Sequence, residues 1–396
     1  MELTKNEITN RIEKLFENMN RLAPNWTTVL IFGKINQYYL TGTMQDGVFA
    51  LKKDGSYTYF VRRSFPRAEM ESKIDEIQKI NTYRDMIPFL GDKLGNLYVD
   101  KDIVNITILD RLNKYFSYSS LSAVEPVISK IRAVKSEYEL YQIKKSGEKH
   151  RYILEDIVPA LLKEGMTEID FLGDMYREML KIGYQGLARF AMFQTEMVLG
   201  QFGFGATSAY PTPFDGPGGM KGLSPAVPLV GNSNTVLKKG DLVFVDIAFG
   251  VEGYHSDCTQ IYMFGEYPSD DLQSAHRKCL EVQQAAAAML KPGAIPSEIY
   301  KNTVETLPSE FRENFMGLGM DAVKFLGHGV GLHIDEYPVI AAGFNEPLEE
   351  NMIIALEPKK HIPGIGIVGV EDTYLVTKNG GKCLTGGEKE IVTVFP

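Results

Sequence analysis

Apolar and polar positions alternate with two different periods along this chain, and the change of period marks out its elements. Residues 5–20 set Ile8, Ile12, Leu15 and Phe16 on one face at helical spacing, so the chain opens on an amphipathic helix. Short runs of β character follow: TTVLIF at 27–32, YYLTG at 38–42, GVFALKKDGSYTYFV at 47–61 and NLYVD at 96–100. KKDG at 52–55 reads as a hairpin turn inside the third run. Helical segments at 65–80 and 104–116 interleave with these strands, which predicts a small α/β domain over 1–128.

From residue 129 the pattern changes. ISKIRAVKSEYELYQIKKSGEKHRYILEDIVPALLKEG reads as two amphipathic helices, and Thr167 with Asp170 three residues on opens another over 168–182. Strands and hairpins come next, including GDLVFVDIAFGVEGYHSDCTQIYMF, with one long helix at 269–290. The second domain is therefore 129–396, and its class is α+β. The stretch 203–232 is dense in Gly and Pro and has no period. Loops this long inside a domain are usually functional, and Tyr210, Phe214 and Asp215 within it favour an ordered wall of a site.

Composition narrows the function classes. A chain of 396 residues is too long for one ordinary core. The net charge of −9, without any long Lys/Arg block, excludes a nucleic-acid binder; the cluster KKSGEKHR at 144–151 suits a solvated helix face instead. Three scattered cysteines, Cys258, Cys279 and Cys383, suit a reducing compartment. No apolar run approaches the roughly 18 residues of a membrane span. These traits predict a soluble, cytoplasmic protein with no membrane partner.

The candidate chemistry lies in the last 150 or so residues. Asp246 and Asp257 are nearly symmetric about a turn centred on Gly250–Gly253, and Glu357 and Glu371 are symmetric about Gly364. Facing residues of an antiparallel pair have Cβ atoms roughly 5 Å apart, so each hairpin is expected to present a pair of opposed carboxylates. At that distance two carboxylates repel by several kcal/mol at an effective dielectric of about 20, unless a cation joins them. His328, in FLGHGVGL, adds an imidazole. Two divalent ions would cancel four carboxylate charges, and a mixed N/O donor set suits Mn, Co, Fe or Zn. Such a centre can activate water and polarise a carbonyl, as amide hydrolysis requires. An isolated Asp pair on a hairpin is usually a surface accident, and a single GHG is a weak signal. The ordered set of five carries the inference.

With these residues in view the chain resembles the creatinase, prolidase, aminopeptidase P and methionine aminopeptidase superfamily. The likeness rests on KKGDLVFVDIAFGVEGYHSDCTQIY, FLGHGVGLHIDEYP and NMIIALEPKKHIPGIGIVGVEDTYLVTKNGG. IRAVKSEYELYQIKKSG resembles the start of that catalytic domain, and NQYYLTG the creatinase-type N-terminal domain. The resemblance implies a pita-bread catalytic domain behind a smaller α/β domain. It also implies a dinuclear metal-dependent hydrolase of a C–N bond, of the Xaa-Pro aminopeptidase or prolidase kind, and a homodimer. Carried over by position, Asp246 would chelate one ion, and Asp257 and Glu371 would bridge both. His328 and Glu357 would hold the other, with Glu357 also a proton shuttle. Thr259 would orient the ligands from behind.

The departures concern the substrate. DEYP stands where the family has HE-x-P, so Asp335 replaces a substrate-contacting histidine, and no His occurs between His150 and His255. Gly369 stands where an Arg is common, which would open space and remove a cation; Gln260 likewise replaces an Arg. Asp335 becomes a candidate catalytic and substrate-binding acid, with Tyr254, His333 and His361 as further substrate-side candidates. His255 shares the strand face of Asp257, whereas His150 and His276 read as helix-surface residues. Two other readings follow: a hydrolase or lyase of a small, cationic molecule on the same fold, and a decayed binding protein. Retention of all five ligands argues against the last.

Overall fold

The computed structural model describes residues 1–386 and 389–396, which form two compact units, Met1–Arg132 and Ala133–Pro396. In the first unit the helix Lys5–Leu22 buries Ile8, Ile12, Leu15 and Met19, and Thr4 caps it by accepting the Glu7 N–H. Among the described residues its sheet comprises β1 (Thr28–Ile31), β2 (Asp46–Lys52), β3 (Tyr57–Arg63), β4 (Ile77–Lys79), β5 (Asn96–Val99) and β6 (Ser120–Ala123). Their order is β4-β3-β2-β1-β5-β6, antiparallel along β1–β2–β3 and parallel elsewhere.

Two sequence expectations fail here. YYLTG is no strand: Lys34–Thr41 is a helix that buries Gln37, Tyr39, Leu40 and Thr41 and stops at Gly42 in the left-handed conformation, φ +79°. Aromatic residues suggested a strand, but burying them on one helical face under a glycine stop overrides that preference. The helix expected over 65–80 ends at Glu71, and Ile77–Lys79 instead adds a strand parallel to β3.

The second unit contains β7 (Gly200–Phe204), β8 (Leu242–Val251), β9 (Tyr254–Phe264), β10 (Phe325–Gly329), β11 (Glu336–Ala341) and β12 (Ile353–Leu356). It continues through β13 (Lys359–Ile362), β14 (Gly366–Gly369), β15 (Asp372–Thr377), β16 (Gly380–Cys383) and β17 (Val392–Val394). Among the described residues these form sheets β17-β9-β8-β7 and β11-β10-β12-β15-β16 and the ribbon β13-β14. The bridge Thr259–Glu371 connects the first sheet to the second.

Strands β8 and β9 are buried on both faces, and the two faces differ. Val243, Val245, Ile247 and Phe249 point into the core that contains helix Glu168–Lys181. Leu242, Phe244, Ile261 and Met263 point the other way, against Ile367 and Val368. By the period of two, Asp246, Asp257 and Thr259 continue this second face, so an apolar surface turns acidic toward the β8–β9 turn. Helix Asp270–Met289 covers the other sheet with Cys279, Val282 and Ala286.

Thr167 and Asp170 form the expected capping box of helix Glu168–Lys181. Thr167→Ala is expected to lower the stability of this unit by about 1 kcal/mol, read as a shift of the urea midpoint with unchanged slope.

His150 and His276 are not on the surface. Both are buried: His150 Nδ1 lies 3.1 Å from Ser256 Oγ, and His276 donates through Nε2 to the Lys389 carbonyl while Nδ1 accepts the Gly369 N–H. Helical periodicity could not separate these positions, because helices 137–152 and 270–289 are covered on more than one side.

Candidate metal centre

The turn of the β8–β9 hairpin consists of Glu252 and Gly253, both at positive φ (52° and 90°), between the paired Val251 and Tyr254. This is the two-residue, right-twisted turn that antiparallel strands favour. It sets the register one residue later than sequence symmetry suggested. Asp246 therefore faces Thr259, and Asp257 faces Ala248. The two aspartates are diagonal neighbours on one face, not an opposed pair.

The second carboxylate pair keeps its symmetry. β12 pairs with β15 and β13 with β14 in one continuous register, from Ile353–Leu375 through Lys359–Gly369 to Ile362–Gly366. Glu357 and Glu371 sit at the break between the two ladders, where the backbone turns the carboxylates inward.

All five predicted ligands meet. Donor atoms of Asp257, His328 and Glu371 lie within 4.8 Å of one another, as do those of Asp246, Glu357 and Glu371. His328 Nδ1 is 3.1 Å from the Gly329 carbonyl, so Nδ1 carries the hydrogen and Nε2 presents a lone pair. That Nε2 is 3.5 Å from Glu357 Oε1, 3.8 Å from Asp257 Oδ2 and 3.9 Å from Glu371 Oε1. Ligands about 2.1 Å from a common ion are separated from one another by roughly these distances. Glu371 Oε1 is fully buried and has no hydrogen-bond partner. A carboxylate oxygen stranded in this way beside an imidazole lone pair fits a divalent ion.

Asp246, Asp257 and Glu371 carry their charge reluctantly. Burial, with Glu371 adding its charge against the opposing pull of Lys359, pushes Asp246 up to about 7. Burial followed by the charges of Glu371 and Asp246 raises Asp257 further, and burial raises Glu371. For His328 burial favours the neutral form, but the charges of Glu357 and Glu371 outweigh it and raise its pKa.

A sixth group occupies the site, and sequence reasoning missed it. Lys359 is 0% exposed, and its Nζ donates to Glu371 Oε2 at 2.7 Å and to Asp246 Oδ2 and Glu357 Oε2 at 2.9 Å each. These three charges overcome its burial and hold it firmly protonated. The period of two from Glu357 would have revealed it, since Lys359 shares that face. Gly369, across the ribbon, leaves no open space: a Cβ there would lie 2.4 Å from the Pro358 carbonyl oxygen and 2.7 Å from Lys359 Cα. The expectation that Gly369 opens the site and strips it of a cation is thus overturned, because Lys359 supplies one from the facing strand.

Thr259 Oγ1 donates to Glu371 Oε2 at 3.0 Å. Thr259→Val should leave the fold intact and weaken Mn binding about 10–100-fold, measured by titration calorimetry. Gln260 turns away from the site to the carbonyls of Ile261 and Glu390.

The substrate-side candidates separate. Tyr254 is 0% exposed, with its ring edge against Tyr138. His255 is buried too: Nδ1 donates to the Gly331 carbonyl, leaving Nε2 to accept from Gln185 and from the Arg189 N–H. Burial lowers it to about 4, so it stays neutral and ties residues 185–189 to Gly331. Asp335 continues that tie by accepting the Ala191 N–H at 2.8 Å; burial raises its pKa, and its charge is felt by His328. His333 shapes the same turn through its backbone, which donates to Glu336 and accepts from Gly331.

His361 donates through Nε2 to the Pro217 carbonyl at 2.7 Å and lines a cavity of about 320 Å³. The Gly/Pro-rich stretch walls this cavity from Ala209 to Gly218, and a Cβ at Gly218 would lie 3.3 Å from Asp246 Oδ2. The wall therefore reaches the carboxylates. The stretch itself is pinned by buried Glu168, which accepts from Phe204, Thr207 and Asn232.

Solved structures of similar fold include peptidases. The prolidase from Pyrococcus horikoshii OT3 superposes with TM-score 0.78 at 25% identity, over 97% of this chain and all of that one. The dipeptidase PepE from Mycobacterium ulcerans gives TM-score 0.79 at 22% identity with both chains fully covered, a likeness of fold alone. An uncharacterized peptidase of Staphylococcus aureus (strain USA300) is 28% identical over 96% of this chain and 99% of its own length. The architecture is thus a creatinase-type N-terminal domain followed by a pita-bread catalytic domain. Residues 141–378 match metallopeptidase family M24, and residues 11–134 match the creatinase/prolidase N-terminal domain. The chain belongs to metallopeptidase family M24 and is a hydrolase of the peptidase class. No helix among the described residues is long and apolar enough to cross a membrane.

Proposed function

We propose that this chain is a metal-dependent peptidase that hydrolyses the C–N bond of small Xaa-Pro peptides. The observation that carries this reading is the buried, partnerless Glu371 Oε1 beside the His328 Nε2 lone pair and Asp257. Those groups would hold Mn, Co, Fe or Zn, any of which suits the mixed N/O set, and leave Glu357 Oε1, 3.5 Å from His328 Nε2, available as a base. When bound, the metal supplies Lewis acidity at the scissile carbonyl and lowers the pKa of water.

The chain's own residues do the rest. Glu357 has Oε2 fixed by Lys359 and Oε1 turned toward His328, so Oε1 can take a proton from the attacking water and deliver it to the leaving nitrogen. Thr259 and Lys359 hold Glu371 in place. The cavity between His361 and residues 209–218 receives the peptide, and the apolar faces of Pro211, Pro213 and Phe214 suit a prolyl ring. Asp335, whose charge is felt by His328, would accept the peptide's amino terminus, with His333 two residues before it as a further acceptor.

Asp335 also favours a second reading, in which the substrate is a small cationic non-peptide. Mn- or Co-loaded protein assayed against Xaa-Pro dipeptides, other dipeptides, longer Xaa-Pro peptides and quaternary-ammonium amides separates the two. Turnover confined to the cationic amides would sink the peptidase reading. His328→Ala is expected to reduce kcat/KM by 10³-fold or more, through loss of the metal's several kcal/mol of stabilisation.

A further inference from the structure

Resting on the metal-dependent reading above, we infer that the Lys359 ammonium permanently fills one of the two cation positions and that the centre binds a single divalent ion. The oxygens divide cleanly between two sides. Lys359 Nζ takes Asp246 Oδ2, Glu357 Oε2 and Glu371 Oε2 at 2.7–2.9 Å. His328 Nε2 faces Asp257 Oδ2, Glu357 Oε1 and Glu371 Oε1 at 3.5–3.9 Å. Each glutamate thus gives one oxygen to the lysine and one to the imidazole side, and the partnerless oxygen, Glu371 Oε1, is on the imidazole side. Glu371 itself is only 1% exposed, so water from bulk does not stand in for a ligand there.

A second ion on Asp246, Glu357 and Glu371 would need to lie about 2.1 Å from those oxygens. Lys359 Nζ already occupies the point they share. Nor can the lysine easily withdraw: it is 0% exposed, Phe244 lies along it with its ring centroid 6.0 Å from Nζ, and the Gly369 backbone packs against its Cα. Charge agrees with this arrangement, since four carboxylates, one ammonium and one divalent ion leave a single net negative charge, with His328 neutral. Lys359 is therefore a positioning residue that fixes Glu357 and Glu371 where a second metal would otherwise do so.

The test is metal stoichiometry, independent of turnover. Full-length protein is saturated with Mn, freed of excess by gel filtration and analysed by elemental mass spectrometry and electron paramagnetic resonance. One Mn per chain with an uncoupled six-line spectrum is expected. Lys359→Ala, which removes the ammonium and makes room, should bind two Mn and show an exchange-coupled spectrum; Lys359→Arg, which keeps a cation, should stay at one. Two coupled Mn in the unaltered protein would overturn the inference while leaving the metallopeptidase reading intact. No binding of Mn, Co, Fe or Zn under the same conditions would overturn both. A folded Lys359→Ala protein that still binds one ion would also count against it, and should that variant not fold, the unaltered protein decides alone.

Discussion

Lys359→Met is expected to destabilise the catalytic unit by about 3–5 kcal/mol in EDTA, the loss typical of removing one partner from a buried charge cluster. The ammonium is the sole cation that the described residues place on Asp246, Glu357 and Glu371 together, and methionine fills its volume without its charge. Proton uptake by the carboxylates relieves part of the repulsion, so the loss should be larger at pH 8 than at pH 5. Mn should then restore stability by binding only the folded protein, in proportion to RT ln(1 + [Mn]/Kd). Urea unfolding with and without Mn measures both effects. Equal midpoints for Lys359→Met and the unaltered protein in EDTA at pH 8 would show that the ammonium is not the cluster's counter-ion.

Asp246→Asn should have the opposite effect on stability. Asp246 has its folded pKa raised from 3.8 to about 7. A raised carboxyl pKa means that the folded state holds the proton more tightly than the unfolded chain. The resulting contribution favours folding below about pH 4 and is lost as pH rises through 7. The asparagine variant, which never ionises, should therefore match the parent near pH 4 in EDTA and exceed it from pH 7 upward. A shift of about three units bounds the gain at about 4 kcal/mol, and sharing of protons among Asp246, Asp257 and Glu371 reduces it. The depressed pKa values of His150 and His255 give a pH trend of opposite sign, but that trend is common to both proteins and cancels in the difference. A variant less stable than the parent at pH 8 would refute the electrostatic account.

Much of this was legible in the sequence. Apolar spacing found the helices Lys5–Leu22, Glu168–Lys181 and Asp270–Met289, and the capping residues fixed where the second begins. The order Asp246, Asp257, His328, Glu357, Glu371 was readable because each residue type, at its distance from a turn, restricts what the site can do. The failures share a cause. His150 and His276 looked accessible because their own helices are amphipathic, yet other elements cover them. YYLTG looked extended because aromatic residues favour strands, yet its burial is helical.

The sequence by itself determined that four carboxylates lie on two hairpins of an α+β domain, with His328 between them in the chain, since local periodicity and turn chemistry act over a few residues. Only the tertiary structure decided which oxygens face one another and that Lys359 stands among them. That outcome depends on the Thr259–Glu371 bridge between sheets and on strand registers set by turns far apart in the chain. Charges separated by 113 residues, Asp246 and Lys359, meet at 2.9 Å. Coulomb energy depends on distance in space, which a linear pattern does not encode.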